Sequence, residues 1–207
     1  MRIERIEASR HKKGRVLVFL EDGACLKITE QELLDFGLRS GEELDEGTLA
    51  KLRQAAGVSN TKAAAADLIG KRAMSRADLE RRLRGKGASQ AEARYAAEWL
   101  EAIGALNDAE YAALLARHYG QMGYGPRYVQ EKLREKGIPR ELWEDALDAL
   151  PEAAEQIGRF LEGKLRGRAP EEAEKRRLSA ALARRGFSWG EIKAAWSRYG
   201  VEFSSEE

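Results

Sequence analysis

The chain has 207 residues, 34% of them charged, with 36 Lys and Arg against 35 Asp and Glu. The charge content exceeds the roughly 25% of an ordinary globular domain, and because the two signs nearly cancel, only the local distribution of charge can point to a partner. One cysteine, Cys25, excludes an internal disulfide and a thiolate metal cluster, and the wide separation of His11 and His118 argues against a zinc site. The longest uncharged stretch, residues 118–126, is polar and far too short to span a membrane, so a soluble cytoplasmic protein is expected.

The first sixty residues read as a small α+β extension. Ile3 and Ile6 alternate with polar residues. The run Val16-Leu17-Val18-Phe19-Leu20 is β-branched and aromatic, and Asp22-Gly23 is a turn signal before residues 24–28. This predicts a three-stranded antiparallel meander, with Cys25 buried in its last strand. Thr29 and Glu32 form a capping-box pair at the start of a short helix that stops at Gly37. A second helix is predicted over residues 45–56, with Leu49 and Leu52 inward and Gly57 as its stop.

From residue 59 the periodicity is helical, and an internal repeat organises it. Leu79 and Leu83 precede Gly87 by eight and four residues. Val129 and Leu133 stand in the same relation to Gly137, and Leu178 and Leu182 to Gly186. Apolar residues four apart share one helix face, and a glycine four later is placed to end the helix in the left-handed conformation. An apolar residue follows each glycine: Ala88, Ile138 and Phe187. Ser75 is placed to cap the first copy, and Pro126 suits the first turn of the second. Helices are predicted before each motif (residues 61–72, 109–119 and 152–163) and after each (92–103, 140–150 and 190–199). The expected fold is therefore mainly α, a tandem array of three three-helix repeats behind a short antiparallel sheet. Its expected segments are residues 1–58, 59–107, 108–150 and 151–203.

Local charge is uneven. Residues 71–86 hold seven basic side chains against two acidic, and residues 159–185 nine against four. Residues 141–155 hold six acidic and none basic. Each motif helix is thus basic around its terminal glycine. Such residues complement the helix dipole, and they also make the footprint of a phosphate-binding or acid-binding face; both readings stand at this point.

The other notable residues read as packing. Trp99, Trp143, Trp189 and Trp196, with Tyr95, Tyr111, Tyr119 and Tyr199, lie at helical spacing. Tyr124 and Tyr128, beside Arg127, are alternatively base-stacking residues. The glycines 120, 123 and 125 lack the Lys-Ser/Thr of a phosphate loop and read as an interhelix turn. Glu141, Glu144, Asp145 and Asp148 read as a solvated face. No nucleophile-base pair and no metal-ligand set is visible, so neither catalysis nor a cofactor or metal is expected.

Arg185-Gly186-Phe187-Ser188-Trp189, Arg76-Ala-Asp-Leu-Glu-Arg-Arg-Leu83 and Gly123-Tyr-Gly-Pro126 with Arg127 together resemble the RecX family of recombination regulators. The resemblance covers about residues 60 to 200, and the strand-bearing segment before it is similar to the extension of longer members. Gln121-Met122, where a more basic turn is common, and Ala88, where a larger apolar residue is usual, depart from the pattern. The resemblance implies a non-enzymatic modulator that binds RecA, as filament on single-stranded DNA and as free protein, and inhibits its ATPase, strand exchange and filament growth. A monomer without membrane contact is expected. The residues expected to meet RecA or DNA are Arg72, Arg76, Arg81, Arg82, Arg84 and Lys86 in the first copy. Arg127, Tyr128, Lys132, Arg134 and Lys136 follow in the second, then Arg176, Arg177, Arg184 and Arg185 in the third. On this reading, changing Arg81, Arg82 and Arg84 to Glu leaves helix content unaltered. A general nucleic-acid-binding helical array with no RecA dependence is the alternative, and a scaffold for another protein is a third.

Overall fold

The structure, a computed structural model, describes residues 1–198. Strands β1 (Ile3–Ala8), β2 (Arg15–Leu20) and β3 (Cys25–Thr29) form an antiparallel sheet in the order β1-β2-β3. The alternation of β2 turns Val16, Val18 and Leu20 inward, where they pack with Ile3 and Ile28. Cys25 is exposed, which corrects the expectation of a buried thiol. It pairs with Phe19, one residue out of phase with the inward Val18 and Leu20, and so shares the outer face with Lys27. Helix α1 (Glu30–Asp35) starts on the predicted capping box: Thr29 Oγ1 accepts from the Glu32 N–H at 3.0 Å, and Glu32 accepts from the Thr29 N–H at 2.7 Å.

The predicted stop at Gly57 does not occur. Helix α2 runs unbroken from Glu46 to Lys71, through the expected boundary at residue 58. Its first half carries Leu49, Leu52 and Ala56 into the core under the sheet, and the helix also packs along α4 (Gln90–Ala102). Gly57 is a point of close approach rather than a terminus: a Cβ there would sit 1.9 Å from the Glu92 carboxylate of α4. Between α2 and α4 lies α3 (Arg76–Gly85), which buries Leu79 and Leu83. Residues Met1–Ala73 and Asp78–Leu106 make one compact unit; Met74–Ala77 and the described residues from Asn107 on make a second.

The second unit holds α5 (Asp108–Gln121), α6 (Pro126–Glu135), α7 (Trp143–Leu147), α8 (Ala153–Leu165), α9 (Glu172–Arg184) and α10 (Trp189–Arg198). The helix predicted over 140–150 is a 3-10 turn, Arg140–Leu142, followed by the short α7, with the Trp143 indole N–H donating to the Ile138 carbonyl at 3.0 Å. Val129 and Leu133 pack with Ala112, Ala116 and Ala146; Leu178, Leu182 and Phe187 pack with Ile157, Leu161 and Trp196. Trp196 is fully buried and donates to Ser179 Oγ, whereas Trp189 is 55% exposed and Tyr95 48%, so these two are not core residues. Trp189 opens α10, at the helix rim, and Tyr199 lies outside the described residues.

The three repeat glycines behave alike locally. Gly87, Gly137 and Gly186 have φ of +96°, +69° and +90°. The next residue donates back to the carbonyl four positions before the glycine in every copy: Ala88 to Leu83, Ile138 to Leu133, Phe187 to Leu182. This is the bond pattern that closes a helix over a left-handed residue and covers the turn with an apolar contact.

Candidate protein and nucleic-acid interface

Helix α3 carries its basic residues around a buried carboxylate. The Asp78 side chain is 3% exposed, yet it faces three guanidinium groups: Arg81, Arg82 through Nε at 3.2 Å, and Arg72 at 3.5 Å. Burial alone would raise the Asp78 pKa, but hydrogen bonds from Arg82 and Arg81 outweigh it and hold the group below its ordinary 3.8. One negative charge organises three positive ones, so the patch stays cationic while its side chains share a fixed anchor. Arg84 and Lys86 are exposed at the end of the helix, and Arg76 is half-buried at its start. The Ser75 hydroxyl donates to the Lys136 carbonyl, and the Asp108 carboxylate takes the Arg76 N–H at 2.8 Å.

The expected residues of the second copy divide by local pairing. Lys132 pairs with Glu135 at 2.8 Å and Arg134 with Glu131 at 2.6 Å, both one turn away on α6. The hydrogen bond to Glu135 raises the Lys132 pKa above its usual value and keeps the amine charged. Arg127 is exposed and Lys136 half-buried. Tyr128 stacks on Tyr124 with 4.0 Å between ring centroids and meets Tyr119 edge-on, so one face of each stacked ring is filled by the other.

In the third copy Arg176 and Arg184 are exposed, and Arg177 shares Glu174 with Arg168. No ion pair to a described residue engages Arg84, Arg127, Arg176 or Arg184. Arg185 is different. Its guanidinium donates to the Gly123 carbonyl at 3.2 Å and lies over the Phe160 ring at 4.9 Å, which makes it a strut within the second unit.

That strut belongs to a backbone joint. The Gly125 N–H donates to the Arg185 carbonyl at 2.8 Å and the Arg127 N–H to the Gly186 carbonyl at 3.1 Å. The end of α9 thereby satisfies the open donors at the start of α6, which has no side-chain cap. A Cβ on Gly186 would lie 2.3 Å from the Tyr128 nitrogen, and one on Gly125 2.7 Å from Phe187. The glycines of the Gly-Tyr-Gly-Pro and Arg-Gly-Phe-Ser-Trp motifs are thus two halves of one contact. The Gly137 turn repeats the arrangement: a Cβ there would meet the Ala77 Cβ at 2.6 Å, beside the Ser75 hydroxyl on Lys136.

The anchoring role of Asp78 is missed in the sequence. The available signal is an acid with arginines three and four residues ahead. Sequence reasoning also misses a basic cleft in the first unit, lined by Lys12 and Lys27 of the sheet region and by Lys86. Among the described residues no group of His, Cys, Asp and Glu could hold a metal ion, and no helix is long and apolar enough to cross a membrane.

Two family models match this chain: "RecX, second three-helix domain" over residues 107–147 and "RecX, third three-helix domain" over 152–196. The regulatory protein RecX of Ectopseudomonas mendocina is 33% identical over 127 residues, covering 60% of this chain and 85% of that protein. The chain belongs to the RecX family. The regulatory protein RecX of Bacillus licheniformis is 28% identical over 202 residues, covering 93% of this chain and 75% of the relative. A RecX crystal structure shares the fold at a TM-score of 0.69, with 24% identity over 95% of this chain and 98% of its own. The two matched RecX domains contain the Gly137 and Gly186 turns, and the arginine cluster on Asp78 lies outside both.

Proposed function

We propose that this RecX-family chain is a regulator of RecA, without chemistry of its own, that binds the RecA filament on single-stranded DNA. It restrains ATP hydrolysis, strand exchange and filament growth, and acts in the cytoplasm in recombination, repair and the SOS response. The observation that carries the reading is the recurrence on the repeat helices of exposed cations that make no ion pair to a described residue. Arg84, Arg127, Arg176 and Arg184 stand beside cations whose charge is locally answered, such as Arg81, Arg82 and Arg177. Unpaired arginines keep their donors for a carboxylate or phosphate on a partner.

The decisive test is DNA-stimulated ATP hydrolysis by RecA at stoichiometric amounts of this chain. Inhibition is expected, and its absence ends the proposal. Tight binding to bare oligonucleotide with no preference for the filament, and a steep salt dependence, would mark a general nucleic-acid binder instead. The arrangement around Asp78 changes which variant to use. Reversing Arg81 and Arg82 would set carboxylates against a buried carboxylate, so those two changes are expected to cost stability as well. Reversing Arg84, Arg176 and Arg184 leaves that anchor intact.

A further inference from the structure

Two of the three glycine turns receive the start of a helix. The Gly186 turn accepts the first N–H groups of α6, and the Gly137 turn seats residues 75–77. The Gly87 turn has the same φ sign and the same closing hydrogen bond, yet the space beside it is open: apart from its chain neighbours, nothing lies within 4 Å of where its Cβ would be. The residue after it is Ala88, where the other copies place Ile138 and Phe187, each nearly fully buried. A cleft of about 740 Å³ lies at this turn, within the first unit. Lys12, Lys27 and Lys86 are among the residues that line it. The acidic residue on its wall, Glu92, is tied to the Ser89 N–H and hydroxyl at 2.8 Å and does not answer the lysines.

We propose that the Gly87 cleft is a docking site for the start of an α-helix in a partner protein, one that carries acidic residues in its first turn. At the Gly186 turn the ligand is a helix start, whose open N–H groups match the outward carbonyls of the left-handed turn, and at the Gly137 turn the residues that open α3 lie against the glycine, with the Ser75 hydroxyl on the Lys136 carbonyl. Charge selects the ligand. A bare helix start is a positive dipole end and is repelled by three lysines, whereas Asp or Glu in its first turn reverses the sign and pairs with them. Nucleic acid fits less well, since no Trp, Tyr or Phe lines the cleft to stack a base.

The probe is a synthetic stapled helix that begins Ser-Pro-Glu-Glu, titrated into the isotope-labelled full chain. A control peptide carries the same glutamates at its C-terminal end. The first peptide is expected to shift the amide signals of residues 86–88, and the control is not. Two variants are expected to weaken binding by about tenfold each: Lys12→Glu/Lys27→Glu/Lys86→Glu, which removes the charge, and Ala88→Phe, which fills the cleft and keeps it. Unchanged melting curves separate loss of the site from loss of fold. Equal binding of the control peptide, or no shift at the turn, overturns the proposal. So does an oligothymidylate that shifts the same amides at lower concentration, which would make the cleft a phosphate groove. Concentration-dependent self-association that moves the Gly87 signal assigns the site to a second copy and overturns it as well. None of these readouts involves RecA, so their failure is separable from that of the regulatory reading.

Discussion

Gly87 and Gly186 occupy the same place in two copies of one motif, with nearly the same φ and the same hydrogen bond behind them. Around Gly186 the chain is crowded to within 2.3 Å of a would-be Cβ; around Gly87 there is open space. The local motif is a property of the spacing Leu-x-x-x-Leu-x-x-x-Gly. What the turn touches is a property of its neighbours, and the two can be separated by substitution.

The largest expected effect is at the crowded turn. Gly186→Ala adds left-handed strain of about 1–2 kcal/mol and drives a methyl into the Tyr128 backbone, for a total loss of roughly 3–4 kcal/mol in urea unfolding. Asp78→Asn comes next. It removes a buried charged acceptor from three guanidinium groups and is expected to cost roughly 2 kcal/mol at neutral pH. Because the native pKa of Asp78 lies below its ordinary 3.8, its stabilisation is fully present above that value and is lost as pH falls through the native pKa. The stability gap between Asp78→Asn and the parent chain should therefore narrow in acid unfolding series and be constant from mildly acidic to neutral pH. A gap that widens in acid would refute the anchor.

Gly87→Ala is expected to cost about 1–2 kcal/mol, the strain alone. A loss there as large as at Gly186 would mean the open turn is not open. The smallest effect on stability belongs to Arg84→Glu and Arg184→Glu, each within about 0.5 kcal/mol by thermal melting. The same two changes should give the largest loss of RecA inhibition among these variants, so stability and regulation rank the substitutions in opposite order.

The strands, the capping box and the three turns were legible in the sequence because each is set by residues a few positions apart. Gly57 was not: after Ala55-Ala56 a glycine reads locally as a stop, and only the approach of Glu92, 35 residues later, gives its reason. Ala88 was visible as a departure, but its meaning lies in the space it leaves. The candidate cations were legible as a group by composition. Their division into anchored, paired, strut and free was not, since Asp78, Glu174 and the Gly123 carbonyl choose among arginines that look equivalent in a string.

The unbroken α2 also acts as a drive shaft. Its early turns grip the sheet through Leu49 and Leu52, and Gly57 fits α4 through Glu92. Each residue of a helix advances the azimuth by about 100°. Inserting or deleting a single residue between Leu52 and Gly57 would rotate the sheet around the first repeat by that angle, carrying Lys12 and Lys27 away from Lys86. Such a frame-slipped chain would keep every side chain of the cleft and lose the cleft itself.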